Sequence, residues 1–195
     1  MKIVIIDYGA GNTRSVEFAF NRIGVDTLLT DNPEVIQAAD GVIFPGVGHA
    51  QHAMNALKSK GLDLLIPALK QPVLGICLGM QLLCDSSEEG NTKALGIIDT
   101  KVVQFEANLK IPKIGWNNLK MNENELFTGV NQDEYFYFVH SYYVPQNEYC
   151  IGRSNYGLEY TAALNKDNFY GCQFHPEKSG AAGEQILKNF IKICE

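Results

Sequence analysis

Short apolar runs alternate with helical patterns over the first half of the chain. Four segments are typical of buried strands, because they are apolar and end near glycine, proline or aspartate: KIVIID (2–7), VDTLLTD (25–31), GVIFPG (41–46) and QPVLGIC (71–77). Between them, apolar residues at helical spacing and capping residues predict helices at 12–24, 32–40, 49–61 and 78–86. Strands that alternate with helices predict a parallel sheet covered on both faces.

The pattern changes in the second half, where strand-like segments follow one another through short connections. These are LGIIDTKVVQF (95–105), DEYFYFVHSYYV (133–144), LEYTAAL (158–164) and NFYGCQF (168–174), and a last helix is predicted at GEQILKNFIKIC (183–194). Because short connections favour antiparallel neighbours, some of these strands should pair antiparallel. We expect one α/β domain over residues 1–195, with a mostly parallel central sheet, flanking helices and an added antiparallel portion.

Composition and charge narrow the class of protein. The chain has 195 residues, 46% hydrophobic and 19% charged, which suits a single domain with one sizeable core. The net charge of −6 argues against a nucleic-acid partner, and no apolar run approaches the ~18 residues that cross a membrane. The five cysteines include no CxxC pair, so we expect neither a disulfide framework nor a metal site, and a reducing cytoplasm is the natural compartment. We also expect no cofactor.

The segment GICLGMQ contains the strongest candidate for a reactive residue, Cys77. It lies between glycines at 75 and 79, after a predicted strand and before a predicted helix. This order is typical of a nucleophile elbow, in which glycines relieve crowding at a sharp turn. Amides at the start of a helix favour the thiolate form of a cysteine. The alternative is a packed core residue, the usual environment of a cysteine.

A nucleophilic thiol needs a base, and the segment CQFHPEKSG favours His175 among the four histidines. His175 ends an apolar strand, and Glu177 follows two positions later. In extended backbone these side chains point to the same side, and Pro176 biases His175 toward that geometry. Glu177 can therefore orient the imidazole. Taken alone, HPE could also be a surface turn.

Transfer of an acyl group to a cysteine also requires donors for an oxyanion. The backbone N–H of Leu78, next to Cys77, is one candidate. FPGVG (44–48) follows the third predicted strand and offers a second donor near Val47. An ordinary strand-to-helix turn is the alternative interpretation of this segment.

Three motifs together resemble the class I, or triad, glutamine amidotransferases: PGVG, LGICLGMQLL and FHPEKSG, in this order and at these separations. IDYGAGN, SEEG, GWN (115–117) and YFVHSYYV (137–144) narrow the resemblance to the glutaminase subunits of imidazole glycerol phosphate synthase. The similarity runs from residue 3 to about residue 190. It implies a flavodoxin-like class I glutamine amidotransferase fold.

The resemblance also implies a role for each matching residue. Cys77 attacks the side-chain amide of glutamine and forms a thioester, His175 moves the proton, and Glu177 orients His175. Backbone amides of three residues form the oxyanion hole, namely Gly46, Val47 and Leu78. Substrate recognition falls to Gln81, Glu89, Ser141 and Tyr142, although a solvated helix face is the alternative for the first two.

The fate of the ammonia points to a partner. A ~250-residue barrel does not fit in this chain, so the acceptor should bind to another subunit. The resemblance implies a heterodimer with a (β/α)₈-barrel cyclase subunit of histidine biosynthesis, which takes the ammonia through its core. Interface candidates are Asn12, Trp116, Asn117, Tyr137 and Lys178, with core packing as the alternative for Trp116 and Tyr137. Lys113 replaces a histidine common in the family, which puts only the local interface detail in doubt.

Other functions remain open from the sequence alone. DYGAGNTR follows a strand like a dinucleotide-binding loop, but Arg14 occupies the position where that fingerprint needs glycine. Another cysteine hydrolase, or a glutaminase that serves a different synthase, would share the fold. A non-catalytic partner protein is disfavoured because Cys77, His175 and Glu177 are all present.

Overall fold

An eight-stranded mixed sheet forms the centre of the computed structural model, which describes residues 1–9, 11–106 and 108–195. Ala10 of the IDYGAGN motif therefore lies outside the described residues. In chain order the elements are β1 (Ile3–Ile6), α1 (Thr13–Arg22), β2 (Thr27–Thr30), α2 (Pro33–Gln37), β3 (Gly41–Gly46), α3 (Ala50–Ser59), α4 (Leu62–Ala68), β4 (Val73–Cys77), α5 (Leu78–Leu82), β5 (Cys84–Ser87), β6 (Thr92–Lys93), β7 (Ile98–Gln104), β8 (Lys113–Asn118), β9 (Lys120–Met121), β10 (Tyr135–His140), β11 (Tyr142–Tyr143), β12 (Cys150–Asn155), β13 (Glu159–Lys166), β14 (Phe169–Cys172) and α6 (Gly180–Ile193), with 3₁₀ turns at Glu89–Asn91, Glu125–Phe127 and Pro176–Lys178.

The central sheet has a parallel half and an antiparallel half. Strands β2, β1, β3, β4 and β14 lie side by side and pair parallel, and β13, β12 and β9 continue the sheet by antiparallel pairing. The remaining strands form a four-stranded sheet, β11-β7-β5-β6, and a two-stranded ribbon of β10 and β8. The predicted α/β architecture, with a mostly parallel sheet and an antiparallel addition, is confirmed.

Alternate side chains of β1 pack on opposite faces of the sheet. Val4 and Ile6 join the cluster that includes α3, α4 and α5, whereas Ile3 and Ile5 join the cluster that includes α1 and α6. Because successive side chains of a strand point to opposite faces, a strand covered on both sides must be apolar at every position. Each fully buried isoleucine stabilises the fold by roughly 1.5–3 kcal/mol. This explains why IVII is a continuous apolar run.

The C-terminal helix α6 follows the predicted apolar face. Ile186, Leu187 and Phe190 are fully buried against the sheet, and Lys192 lies in the last turn. A cation there interacts favourably with the carbonyl end of the helix. At 14 residues α6 is the longest helix that the structure describes, and no helix in the described ranges combines the length and apolarity needed to cross a bilayer.

The predicted helix after Cys77 is too long. Helix α5 ends at Leu82, and Cys84–Ser87 forms β5, which pairs with β6 and β7. Aspartate and serine favour turns and caps over helix interiors, and the neighbouring strands offer the backbone a ladder instead. Cys84 is consequently a strand residue rather than a helical one.

Several elements were not predicted from the sequence. Helix α4 is short and contains Pro67, which hides its helical pattern. Strands β8 and β12 contain Gly115 and Gly152 and several polar residues, so they lack the alternation that marks a strand. The predicted strand at 133–144 is divided between β10 and β11, which belong to different sheets.

Helix α5 passes so close to β3 that only glycine fits at position 79. A Cβ atom on Gly79 would lie 1.8 Å from the carbonyl oxygen of Phe44. The oxygen belongs to backbone and the Cβ is bonded directly to backbone, so neither can move without shifting a strand or a helix. Gly79 therefore determines how closely the turn after Cys77 packs against the neighbouring strand.

We expect Gly79→Ala to destabilise the fold by roughly 3 kcal/mol or more, because α5 must move away from β3. Gly61→Ala is the matched control: Gly61 has φ of 68°, but no atom lies within 4 Å of the position that its Cβ would take. Its cost should be about 1–2 kcal/mol of backbone strain. Urea unfolding measures both free energies. Equal destabilisation by the two substitutions would contradict the close-packing explanation.

Candidate active site

The carboxyl ends of β3, β4 and β14 meet at one edge of the central sheet. The parallel register places Gly46 opposite Cys77, and Cys172 opposite Ile76. Beyond Cys172 the chain continues for three residues to His175. Open α/β sheets bind ligands at this edge, where loops diverge from the strand ends. The sheet thus brings distant segments of the sequence to the same place.

Cys77 lies in a strained turn between β4 and α5. Its φ of 54° and ψ of −110° are unusual for a residue with a side chain. A Cβ on Gly75 would lie 2.8 Å from the backbone nitrogen of Met80, so this turn also excludes larger residues at position 75. Strain of this kind costs about 1–3 kcal/mol and persists only where surrounding packing imposes it. The strained turn holds the thiol at the sheet edge, with 6% of the residue exposed.

His175 and Glu177 form a buried pair next to the thiol. Nδ1 of His175 lies 2.8 Å from Oε1 of Glu177, so with Glu177 ionised Nδ1–H donates to the carboxylate. Nε2 of His175 has no hydrogen-bond partner among the described residues. Burial alone would lower the pKa of His175, but Cys77 and Glu177 beside it raise that pKa above its ordinary value. The imidazole is therefore equipped to take and return a proton through Nε2.

A cavity of about 240 Å³ opens in front of Cys77. This volume suits a ligand smaller than the drug-sized molecules that fill typical pockets. The four residues predicted for substrate recognition, Gln81, Glu89, Ser141 and Tyr142, all line this cavity together with Cys77 and His175. The remaining walls come from Val47, Gly48, Leu78, Pro112, Val139 and His140.

Gln81 is held by two internal hydrogen bonds. Its Nε2 donates to the carbonyl oxygen of Tyr142 at 2.9 Å and to Oε1 of Gln173 at 2.8 Å. The amide of Gln173 in turn donates to Sγ of Cys77 at 3.7 Å. Sequence reasoning missed Gln173, although its place two residues before His175 puts both side chains on the same side of the extended chain.

Glu89 belongs to a 3₁₀ turn at the other side of the cavity. Its Oε2 accepts a hydrogen bond of 2.7 Å from the backbone N–H of Ala50, at the start of α3. This contact fixes the carboxylate at the cavity wall. A carboxylate there can bind a ligand ammonium group.

The segment proposed for the oxyanion hole packs against the elbow. Val47 and Leu78 line the main cavity, whereas Gly46 lines a much smaller one behind it, next to His175 and Glu177. A Cβ on Gly46 would lie 2.8 Å from the backbone nitrogen of Gly79. The Tyr8 hydroxyl supports this segment from below by donating to the carbonyl oxygen of Pro45 at 2.9 Å.

Three of the predicted interface residues form one surface patch beside His175, in which Trp116 and Lys178 are exposed and Tyr137 is half-buried. Trp116 is 55% exposed and packs edge-on against Tyr137, and Nζ of Lys178 lies 5.9 Å from the centre of the Tyr137 ring. The carbonyl oxygen of Tyr137 accepts from the backbone N–H of His175 at 2.9 Å. The core-packing alternative for Trp116 is therefore wrong. Asn117 donates to the carbonyl of Asn155.

Asn12 lies elsewhere, at the N-terminus of α1. Its side chain caps the helix by accepting from the backbone N–H of Ser15. It also lines the small cavity next to Glu177. Asn12 is thus close to the catalytic candidates without lying in the main cavity.

The two thiols of the segment GICLGMQLLC have different environments. Cys84 is fully buried in β5, and burial raises the pKa of its thiol well above the ordinary value. Its Sγ lies 3.9 Å from the carbonyl oxygen of Met80 and does not line the cavity. Cys84 is a packing residue.

Lys113 does not lie on the exposed surface of β8, where its place before GWN suggested an interface role. The residue is only 4% exposed, and its Nζ donates to the hydroxyl of Tyr160 at 2.7 Å. Nζ also lies 4.0 Å from the centre of the Phe138 ring. Burial lowers the pKa of Lys113 to about 7. Lys113 thus lies in the interior of the protein, where the sequence had put only a local interface detail in doubt.

The chain belongs to the class-I glutamine amidotransferases, whose family model matches residues 4–194. The chain is 53% identical to imidazole glycerol phosphate synthase subunit HisH of Bacteroides fragilis (strain YCH46), over 99% of this chain and 100% of that protein. It is 48% identical to the subunit of the same name from Haemophilus influenzae (strain Rd), over 98% of each chain. The chain belongs to the family of HisH subunits.

Solved structures share the fold of this chain. A glutamine amidotransferase superimposes with a TM-score of 0.78 at 16% identity and covers 98% of each chain. PurLQS from Thermotoga maritima gives a TM-score of 0.74 at 16% identity, over 100% of this chain and 99% of that one. At these identities the similarity supports the fold alone.

The buried amine of Lys113 generates a prediction about stability and pH. Its pKa is about 7 in the folded chain, against an ordinary value of 10.5 when unfolded. Between these values the unfolded chain holds a proton that the folded chain has lost, so rising pH stabilises the fold. Lys113→Met removes this dependence. The stability of Lys113→Met relative to the wild type should be highest below pH 7 and fall as pH rises toward 10.

Urea unfolding of both proteins at pH 6 to 10 measures this difference. Lys166→Met is a matched control, because the Lys166 amine also packs on a tyrosine ring and donates to a backbone carbonyl. A difference between Lys113→Met and the wild type that stays constant over this range would contradict the prediction. The same trend in Lys166→Met would also contradict it.

Proposed function

We propose that this chain is the glutaminase subunit of an imidazole glycerol phosphate synthase, with residues 1–195 as a single glutamine amidotransferase domain. The observation that carries the proposal is the strained Cys77 turn, beside the His175–Glu177 pair and at the floor of the cavity. Full-length identity of about half to HisH subunits supports the choice of synthase. A glutaminase that serves a different synthase is the alternative.

The chemistry follows from the positions of three side chains. Nε2 of His175 takes the proton of the Cys77 thiol, and the sulfur attacks the side-chain carbonyl carbon of glutamine. Collapse of the tetrahedral intermediate breaks the C–N bond, and His175 gives the proton to the departing ammonia. His175 then activates water, which hydrolyses the γ-glutamyl thioester to glutamate and frees Cys77. Glu177 stabilises the imidazolium that forms in each half of the reaction.

The developing negative charge on the glutamine oxygen needs donors that are in place beforehand. In this proposal the backbone amides of Val47 and Leu78, with Gly46, supply them. The packing of the 44–48 segment against the turn that contains Cys77 supports this assignment. Substrate binding must therefore present the amide oxygen to the space between β3 and α5.

The other end of glutamine contacts the outer cavity walls. The carboxylate of Glu89 binds the α-ammonium group, since opposite charges form strong hydrogen bonds. Ser141 and Tyr142 bind the α-carboxylate mainly through their backbone. Gln81 supports Tyr142 and stands next to Gln173 beneath the substrate. These contacts distinguish glutamine from an amide that lacks the amino-acid end.

The ammonia passes to a cyclase subunit built as a (β/α)₈ barrel, in a heterodimer. The proposed docking surface contains Trp116, Tyr137 and Lys178, with Asn117 and Asn12 nearby. An exposed tryptophan packed on a half-buried tyrosine suits the core of an interface, and Lys178 adds a charge at its rim. The patch joins His175 through the backbone of Tyr137, which would place the partner near the site of ammonia release. The cytoplasm, a reducing compartment, would keep Cys77 free.

Ammonia transfer with the cyclase subunit tests the proposal. Cys77→Ala should reduce glutamine-dependent product formation to background, because no thioester forms. Product formation from an ammonium salt should be unchanged, because the cyclase still receives ammonia. Cys84→Ala is the matched control and should retain glutamine-dependent activity. Substantial glutamine turnover by Cys77→Ala would overturn the nucleophile assignment, and absence of transfer by the wild type would overturn the choice of synthase.

The orienting role of Glu177 gives a second prediction. Glu177→Gln keeps the size of the side chain but removes the charge that stabilises the imidazolium. We expect kcat for glutamine to fall by roughly 10²-fold or more, with little change in KM, because Glu177 does not line the main cavity. Steady-state kinetics and thermal unfolding measure this, with Glu184→Gln on the surface as control. A Glu177→Gln variant with normal kcat would contradict the proposal that Glu177 orients His175.

A further inference from the structure

Lys113 is a buried amine without an acidic partner. Within the described ranges no carboxylate forms an ion pair with it. Its surroundings are aromatic: Nζ lies 4.0 Å from the centre of the Phe138 ring, 5.0 Å from that of Tyr160 and 5.5 Å from that of Tyr156. Burial of an amine in such a place lowers stability unless its protons are engaged. The contact that engages it is the hydrogen bond to the Tyr160 hydroxyl.

That contact begins a chain of hydrogen bonds that leads into the cavity wall. Nζ of Lys113 donates to the hydroxyl of Tyr160 at 2.7 Å, and this hydroxyl lies 3.4 Å from Nε2 of His140. Nδ1 of His140 lies 2.7 Å from the carbonyl oxygen of Tyr142. Lys113 and His140 also face each other across the pairing of β8 with β10. The chain therefore joins three strands to the segment after β10.

The directions of these hydrogen bonds are mutually determined. A carbonyl oxygen only accepts, so Nδ1 of His140 must donate to Tyr142. Burial lowers the pKa of His140 to about 3, which keeps the ring neutral. Its Nε2 is then an acceptor, and the Tyr160 hydroxyl donates to it. Because its one O–H donates to His140, the Tyr160 oxygen takes part in its other hydrogen bond as the acceptor, and Lys113 is the donor.

The end of the chain is the part of the wall assigned to the substrate. The carbonyl oxygen of Tyr142 accepts from His140 and from Gln81, so its peptide is held from two sides. Ser141 and Tyr142 line the cavity, as His140 does. The backbone of this segment also pairs with β7, and the Ser141 carbonyl oxygen accepts from the backbone N–H of Phe105. Loss of the His140 contact would leave the carbonyl oxygen of Tyr142 with Gln81 as its remaining side-chain donor among the described residues. Lys113 itself does not line the cavity, so any effect on substrate must pass through Tyr160 and His140.

We propose that Lys113 is a positioning residue for glutamine, which acts through Tyr160 and His140 to hold the Ser141–Tyr142 wall of the cavity. This inference rests on the proposed function, because it assigns that wall to the α-carboxylate. A role in positioning substrate predicts a change in KM, whereas a role in stability alone predicts a change in unfolding. The effect on KM and the effect on unfolding can be measured separately. Lys113→Met suits both measurements, because it keeps an unbranched side chain and removes the amine that donates to Tyr160.

The test uses the complex with the cyclase partner and measures kcat and KM for glutamine. Lys113→Met and Tyr160→Phe should each raise KM about 3- to 10-fold, with kcat within about 2-fold of the wild type. The double variant should resemble the single ones, because both break the same chain. Tyr160→Phe retains the aromatic packing, so it tests the chain even if Lys113→Met were to fold poorly. Lys166→Met should leave KM unchanged.

Unchanged KM in both single variants would overturn the inference, as would effects that multiply in the double variant. A raised KM with no loss of thermal stability in Lys113→Met would support the positioning role. A lysine with a purely structural role would instead show lower thermal stability and an unchanged KM on substitution. Failure of the proposed function is a separate result. In that case the wild-type complex itself would not use glutamine, whereas failure of this inference leaves wild-type activity intact.

Discussion

The parallel pairing of β4 with β3 on one side and β14 on the other is the constraint on which the whole site depends. It aligns the carboxyl ends of three strands, and each strand end leads to one part of the site: the 46–48 segment, Cys77 and His175. A slip of the register by one residue would turn every side chain to the opposite face. Because both faces of these strands are apolar, the close packing of particular side chains, including glycine at 75 and 79, prevents such a slip. The core and the chemistry are therefore determined together.

Close packing then converts this alignment into a reactive geometry. Glycine at 75 and 79 lets α5 start close against β3 and β4, and the surrounding packing holds Cys77 at a positive φ. The cost of that strain is offset by the burial of apolar residues on both faces of the sheet. The same packing holds the segment proposed for the oxyanion hole against the turn that contains Cys77.

Buried polar groups surround the cavity in two layers. His175, Glu177, Gln81 and Gln173 lie near Cys77, and Lys113, Tyr160 and His140 form a second set, of which His140 lines the cavity. Polar groups in a core lower stability unless each finds a partner, and partners found in sequence-distant strands tie those strands together. The antiparallel strands β8, β10 and β13 thereby support the Ser141–Tyr142 wall of the cavity.

The sequence by itself determined the alternation of strands and helices, the turn around Cys77 and the His175–Glu177 pair, because each depends on residues a few positions apart. Only the tertiary structure decided the rest. The contacts of Gln173 and Lys113, the exposure of Trp116 and the change from helix to strand at Cys84 depend on partners far along the chain. No local pattern carries that information, since hydrogen bonds and burial are set by which strands become neighbours.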